Sequence, residues 1–171
     1  MAPQGQSTRP TADRVRQAMF DVLAHAAWAP PLEGARVADL FAGSGALGLE
    51  ALSRGAAAGL FIDRAPASIE AIEANLRALR LQARATALRA DVTRLSACRG
   101  AAYDFVFMDP PYGEGLGETA LPLVLSGNWL TASGVAVLER GLGEPALIAP
   151  GFEVIDARQW GRAEVLFFRP V

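Results

Sequence analysis

The chain has 171 residues, a formal net charge of -2 and a hydrophobic fraction of 51%. This length and composition suit one globular domain with a substantial core, and no apolar run approaches the ~20 residues of a membrane helix. One cysteine and one histidine exclude an internal disulfide and a Cys/His zinc cluster. We therefore expect a cytoplasmic protein without a metal site, and a charge near zero argues against binding nucleic acid through a large basic surface.

Alternating strand-like and helix-like segments follow an N-terminal stretch, residues 1–10, that is polar and rich in Pro, Gly and Gln. We expect this stretch to be a flexible lead-in and residues 11–171 to form a single domain. From Thr11, apolar residues follow helical spacing toward the proline pair at 30–31. Beyond it, the predicted strands are 35–41, 58–63, 83–89, 103–109 and 134–140, and the predicted helices are 47–54, 66–80 and 116–126.

Two final strand-like runs, 151–160 and 163–170, are joined by Gly161 and Arg162 and predict a hairpin. The sequence therefore predicts an α/β fold: a single-domain, Rossmann-like, mostly parallel seven-stranded sheet with a C-terminal antiparallel hairpin. In such sheets ligands bind beyond the carboxyl ends of the strands, at the point where the strand order reverses. Residues directly after each strand are therefore the candidates for function.

The first strand ends at a glycine turn, Gly43-x-Gly45-x-x-Gly48, which fits either a dinucleotide or S-adenosylmethionine. Asp39, just before the turn, favours S-adenosylmethionine because a carboxylate suits its ammonium group better than a diphosphate. Asp63 ends the second strand, where a carboxylate can accept hydrogen bonds from ribose hydroxyls. After the third strand, the Asp91 side chain and the Val92 backbone are placed to bind the adenine. The expected cofactor contacts are Asp39, Phe41, Ala42, Gly43, Ser44, Gly45, Asp63, Arg64, Asp91 and Val92.

The fourth strand ends in Asp109-Pro110-Pro111-Tyr112, the most specific motif in the chain. Two prolines fix the backbone and remove two N–H donors, which leaves the Asp109 carboxylate and the Pro110 carbonyl as rigid acceptors. Two acceptors can hold the hydrogens of a base amine and aim its lone pair at a methyl donor, while Tyr112 stacks on the base. We expect these four residues to form the catalytic site of an amine methyltransferase.

The chain resembles the RsmD-type methyltransferases, which modify N2 of a guanine in small-subunit (16S) ribosomal RNA. The segments that carry the likeness are Arg9–Phe20, Asp39–Arg54 and Asp109–Tyr112. The resemblance implies a class I methyltransferase fold, S-adenosylmethionine as cofactor, and ribosomal RNA, free or within the 30S subunit, as partner of a monomer. It also implies that Arg9, Pro10 and Arg14 contact the substrate and that Thr11 lies near the cofactor.

Other functions fit parts of the sequence. A DNA adenine-N6 or cytosine-N4 methyltransferase would use the same chemistry but generally carries a target-recognition region. An NAD-dependent oxidoreductase would account for the glycine turn but for no other motif of the chain. A non-catalytic nucleic-acid-binding module would bind the cofactor without transferring its methyl group. The chain also departs from the RsmD pattern: only eight residues precede Arg9, where family members usually have a basic, glycine-rich hairpin. Without such an arm we expect weak RNA binding or a need for a partner surface.

Overall fold

The computed structural model describes the backbone from residue 8 to residue 171 and side chains from residue 11. Within these residues, four helices and seven strands follow one another in the predicted order. The helices are α1 (Thr8–His25), α2 (Ala46–Ser53), α3 (Pro66–Ala78) and α4 (Leu116–Ser126), and the strands are β1 (Arg36–Leu40), β2 (Ala58–Asp63), β3 (Ala85–Arg89), β4 (Tyr103–Met108), β5 (Leu130–Gly141), β6 (Phe152–Trp160) and β7 (Ala163–Pro170).

All seven strands form one sheet in the order β3-β2-β1-β4-β5-β7-β6. The first five strands in that order are mutually parallel, and β7 runs antiparallel to both β5 and β6. The chain moves outward from β1 through β2 to β3 and then returns to place β4 on the other side of β1. The order therefore reverses between β1 and β4, and the predicted sheet, including its C-terminal antiparallel hairpin, is confirmed.

The sheet is covered on both faces, and β4 shows how the residues are divided between them. Phe105 and Phe107 face a core formed with α1, α2 and α3, whereas Val106 and Met108 face a core formed with α4 and the 3-10 turn at Val92–Arg94. This alternation follows from the two-residue period of a strand. A strand buried on both faces reads as a continuous apolar run, which is why β4 is apparent in the sequence.

Several element bounds differ from the prediction. α1 begins at Thr8, so residues 8–10 are helical rather than part of a lead-in. The helix ends at His25, before the proline pair, because residues 26–29 form a turn in which the Ala29 N–H donates to the Ala26 carbonyl at 3.1 Å. α3 ends at Ala78 because Arg80 adopts a left-handed conformation, φ 57, that stops the helix. β5 begins at Leu130 instead of residue 134, with an irregular register opposite the start of β4.

No helix in the part of the chain that the structure describes is both long enough and apolar enough to cross a membrane.

Candidate active site

A cavity of about 490 Å³ opens at the carboxyl ends of the central strands, where the strand order reverses. Its volume falls in the range of small-molecule sites, ~300–1,000 Å³, and its position is the one expected for a sheet of this type. Residues at or just after the ends of β1, β2, β3 and β4 meet there with one residue of α4 and one of β5. The wall consists of Phe41, Gly43, Asp63, Arg64, Asp91, Val92, Thr93, Asp109, Pro110, Pro111, Tyr112, Leu116 and Glu139.

The glycine turn after β1 is held in a left-handed backbone conformation. Gly43 has φ 57 and Gly45 has φ 85, and Phe41, which lines the cavity, has φ 62. A side chain is disfavoured in this region, so the turn depends on its glycines. A Cβ on Gly43 would meet nothing within 4 Å, so the chain leaves open space beside this cavity-lining backbone.

Gly48 serves the packing of α2 on the sheet. A Cβ at this position would lie 2.4 Å from Cε1 of Phe61, a fully buried residue of β2. No real Cβ approaches another atom so closely, so only glycine lets the start of α2 lie against β2. The third glycine of the motif thus sets the distance between helix and sheet while the first borders the cavity.

Asp63 at the end of β2 ties the glycine turn to the start of α3. Its Oδ2 accepts a hydrogen bond from the Gly43 N–H, and its Oδ1 accepts one from the Ala65 N–H, both at 2.9 Å. Each carboxylate oxygen has two lone pairs, so either oxygen can accept a further bond from a ligand. Asp63 is therefore suited both to fixing the turn and to accepting hydrogen bonds from a diol in the cavity.

Asp39 lies beneath the turn and is not part of the described cavity wall. Its side chain is 1% exposed, and its Oδ2 accepts the Gly48 N–H at 2.9 Å. Burial raises the pKa of Asp39 well above its ordinary value, and the nearby carboxylates of Asp109 and Asp63 raise it further, against the lowering effect of the Gly48 N–H. In this structure Asp39 anchors the first turn of α2, and the ligand contact expected from the sequence stays a prediction.

Asp91 begins the 3-10 turn after β3 and lines the cavity with Val92 and Arg64. Its Oδ1 accepts hydrogen bonds from the Thr93 N–H at 2.9 Å and the Thr93 hydroxyl at 2.7 Å, and these bonds lower the pKa of its carboxyl group. Asp91 is therefore ionised at neutral pH. It caps the turn and also presents a carboxylate to the cavity, so capping leaves it available for the ligand contact expected from the sequence.

Asp109 and Glu139 stand side by side at the other end of the cavity. Met108 pairs with Leu138, so Asp109 and Glu139 are the next residues on the neighbouring ends of β4 and β5. Asp109 is open to the cavity but enclosed by protein around it, and this desolvation, with the charge of Glu139, raises its pKa to about 7. Burial also raises the pKa of Glu139. A carboxyl group that titrates near neutral pH can accept a proton during a reaction.

The Tyr112 side chain lies close to both carboxylates. Its hydroxyl donates to Oε1 of Glu139 at 2.5 Å, and burial, this hydrogen bond and the surrounding carboxylates raise the pKa of Tyr112 above its ordinary range. The residue stays 47% exposed and lines the cavity, so an aromatic side chain borders the space where a flat ligand could bind. Tyr112 is thus neutral, fixed at its hydroxyl and partly exposed.

A buried arginine supports the loop that carries Tyr112. Arg140, 4% exposed, lies 3.5 Å from the carboxylates of Glu118 and Glu164 and 3.6 Å from that of Glu144. Glu144 in turn accepts the backbone N–H groups of Gly113 at 3.0 Å and Gly141 at 2.8 Å. One guanidinium therefore joins α4, β5, β7 and the turn after Tyr112, which restricts how far the cavity wall can move.

The structure brings most of the predicted site residues to one cavity. Ala42, Ser44 and Gly45 form the backbone of the glycine turn but do not belong to its wall. Thr11 and Arg14 are exposed residues of α1 and are not part of the described wall either, and the Arg9 and Pro10 side chains lie outside the described residues.

Sequence reasoning missed Thr93, Leu116 and Glu139. Glu139 had a usable signal, since it stands near the end of the apolar run 134–140, and residues at strand ends were the candidates for function. Leu116 and Thr93 had no such signal, because the loop and the 3-10 turn that place them at the cavity leave no periodic pattern in the sequence.

Comparisons with known proteins agree with this arrangement. The model of a family described as conserved hypothetical protein 95 matches residues 1–169. The ribosomal RNA small subunit methyltransferase D of Escherichia coli is 36% identical over 137 residues, which cover 80% of this chain and 66% of that protein. YlbH of Bacillus subtilis is 38% identical over 141 residues, or 81% of this chain and 74% of that protein.

A structural comparison extends the likeness to the fold. The solved structure of yhhF from Escherichia coli has a TM-score of 0.79 and 31% identity to this chain, and the match covers 94% of this chain and 86% of that one. The residues matched by the family model include the whole cavity wall and the Asp-Pro-Pro-Tyr turn. The chain belongs to the conserved hypothetical protein 95 family, the RsmD-type methyltransferases, and has their Rossmann-like fold.

Proposed function

We propose that this protein transfers the methyl group of S-adenosylmethionine to the exocyclic N2 amine of a guanine in small-subunit (16S) ribosomal RNA, in the cytoplasm and as a monomer. The observation that carries the proposal is the cavity itself, in which a glycine turn with two acidic strand ends faces an Asp-Pro-Pro-Tyr turn. The first half suits a nucleoside with an amino-acid tail, and the second suits a flat base with an amine. The Escherichia coli relative, a ribosomal RNA small subunit methyltransferase, supports ribosomal RNA as the substrate, and the RsmD resemblance of the Arg9–Phe20 segment supports guanine N2.

The residues of the glycine-turn half fit S-adenosylmethionine. The open space beside Gly43 accommodates its amino-acid tail, the outer lone pairs of Asp63 accept the ribose hydroxyls, and Asp91 with the Val92 backbone faces the adenine. When bound, S-adenosylmethionine supplies a sulfonium methyl group that is open to attack by a nitrogen lone pair. The buried Asp39 carboxyl lies beneath the turn, where the ammonium group of the ligand would lie, and a cation there would favour the charged form of Asp39 over the neutral form that burial favours.

The residues of the Asp-Pro-Pro-Tyr half hold and deprotonate the amine. The Tyr112 ring stacks on the base, and the Asp109 carboxylate and the Pro110 carbonyl accept the two amine hydrogens, which directs the nitrogen lone pair along the line of attack. Bound S-adenosylmethionine would supply the methyl group to this lone pair, with the electrons of the broken C–S bond remaining on sulfur. The nitrogen then loses a proton to Asp109, whose pKa of about 7 lets it accept that proton and return it to water.

The test is transfer of labelled methyl groups from S-adenosylmethionine to unmethylated small subunits, to deproteinised 16S RNA and to duplex DNA. We expect label on guanine N2 of the subunit or its RNA. Asp109→Asn, which keeps the side-chain size, should abolish transfer while S-adenosylmethionine still binds, and Glu153→Gln, an exposed change on β6, should have no effect. Label on DNA alone would refute the proposal in favour of a DNA amine methyltransferase. Cofactor binding without transfer to any of the three would indicate a non-catalytic module.

A further inference from the structure

Glu139 lies outside the Asp-Pro-Pro-Tyr motif yet shares its end of the cavity. It follows Leu138 on β5, directly beside Asp109 on β4, and it lines the cavity. Its Oε1 accepts the hydroxyl of Tyr112 at 2.5 Å, which fixes the orientation of the carboxylate relative to the ring that would stack on the base. The second oxygen of Glu139, Oε2, belongs to the same carboxylate and is therefore held in place with it. The base would therefore meet two carboxylates in defined positions rather than one.

When Asp109 is ionised, the described side chains at this end of the cavity offer hydrogen-bond acceptors and no free donor. Pro110 and Pro111 have no N–H group, Leu116 is apolar, and the hydroxyl of Tyr112 already donates to Glu139. Asp109 and Glu139 supply the acceptors. A base bound here gains hydrogen bonds only where it presents N–H groups, and it is repelled where it presents a lone pair.

The three bases with exocyclic amines differ in the ring nitrogen beside that amine. Guanine has N1–H next to its N2 amine, so two neighbouring donors point the same way. Adenine has the lone pair of N1 next to its N6 amine, and cytosine has the lone pair of N3 next to its N4 amine. A pair of adjacent carboxylates therefore complements guanine and opposes adenine and cytosine, since one carboxylate would face a lone pair across a desolvated gap.

We propose that Glu139 accepts a hydrogen bond from N1–H of the target guanine while Asp109 accepts one from N2–H, so that Glu139 selects guanine over adenine and cytosine. This inference rests on the proposed function and assigns a specificity-determining residue to it. Tyr112 holds the Glu139 carboxylate in place through Oε1. That hydrogen bond also favours the charged form of Glu139 against its burial, and the charged form is the one that accepts from N1–H.

The test uses 2-aminopurine, which keeps the N2 amine of guanine but has a lone pair at N1 and no oxygen at C6. The methylated nucleotide is located with the wild-type protein, and small-subunit RNA is then prepared by ligation with guanine or 2-aminopurine at that position. Initial rates of labelled methyl transfer are compared for wild type, Glu139→Gln and Glu153→Gln. Glu139→Gln keeps the side-chain size and replaces one carboxylate oxygen with an N–H donor, so a change in base preference reports on that hydrogen bond.

We expect the ratio of guanine to 2-aminopurine rates to fall at least about tenfold in Glu139→Gln, because its amide can donate to the N1 lone pair of 2-aminopurine. Glu153→Gln should keep the wild-type ratio. Comparing ratios cancels the effect of the missing oxygen at C6, which is the same for every variant. If Glu139→Gln slows both substrates by the same factor, Glu139 only supports Tyr112 and the inference is wrong. If the wild type transfers no methyl group to guanine at all, the proposed function itself fails.

Discussion

Gly48→Ala is expected to destabilise the protein and to weaken cofactor binding through a single contact. The added Cβ would lie 2.4 Å from Cε1 of Phe61 and 3.2 Å from Cβ of Asp39. Phe61 is fully buried, so its ring cannot turn aside into solvent. Overpacking of this kind costs ~1–3 kcal/mol, and the better helix propensity of alanine offsets up to ~1 kcal/mol. We expect the free energy of unfolding to fall by about 1 to 2 kcal/mol, which for a domain of this size lowers Tm by about 2–8 °C.

Cofactor affinity should fall with stability, because the same shift disturbs the glycine turn. The Gly48 N–H donates to Asp39, and Gly45 also lies close to Phe61. A Cβ added to Gly45 would lie 3.1 Å from Cε1 of the Phe61 ring. Thermal melts and titration with S-adenosylmethionine measure the two effects. Gly59→Ala is the matched control, since its Cβ would meet Leu52 and Phe61 at an ordinary 3.4 Å, and its stability should stay within ~0.5 kcal/mol of wild type. A Gly48→Ala variant that melts at or above wild type would refute this account of the third glycine.

Three further predictions concern the charged groups of the cavity. The pKa of Asp109 is raised to about 7 from an ordinary value of ~3.9, so ionisation of Asp109 destabilises the folded state as the pH rises through this range. The Tm of Asp109→Asn should therefore exceed that of wild type at pH 8 and equal it near pH 4. The same Tm difference at both pH values would contradict this prediction. The Asn side chain of Asp63→Asn cannot accept hydrogen bonds from both the Gly43 and Ala65 N–H groups, so the Kd for S-adenosylmethionine, measured by calorimetry, should rise at least about tenfold. An unchanged Kd would exclude a role for Asp63 in binding the cofactor. Arg140→Met leaves the carboxylates of Glu118, Glu144 and Glu164 without their shared cation, so the free energy of unfolding measured in urea should fall by about 2 to 4 kcal/mol. A decrease smaller than ~0.5 kcal/mol would show that these ion pairs contribute little to stability.

The sequence predicts the sheet well because its central strands carry strong local patterns. β4 is a continuous apolar run, and the glycine turn marks the end of β1, so both could be placed without knowledge of tertiary contacts. The insertion of β7 between β5 and β6 has no local signal, since it depends on which strand edge remains free once the others have paired. The early end of α1 at His25 and the left-handed Arg80 after α3 likewise reflect turns that the apolar spacing does not report.

The candidate site divides in the same way. Residues at or directly after strand ends, such as Asp63 and Asp109, could be assigned from position and chemistry together. Asp39 shows the limit of that approach, because its position predicts a carboxylate near the ligand but does not reveal that its Oδ2 is taken by the Gly48 N–H. The support of Tyr112 by Glu139 joins residues 27 positions apart in the sequence, and only the register of β4 and β5 brings them together.

The reversal of strand order between β1 and β4 has a consequence for local unfolding. The half of the cavity at Gly43 and Asp63 depends on β1 and β2, and the half at Asp109 and Glu139 depends on β4 and β5. The hydrogen bonds between β1 and β4 must therefore break if the two halves are to separate. A ligand that contacts both halves adds its binding free energy to the cost of that separation, so amide hydrogen exchange between β1 and β4 should slow by a factor that rises with the ratio of free ligand concentration to Kd.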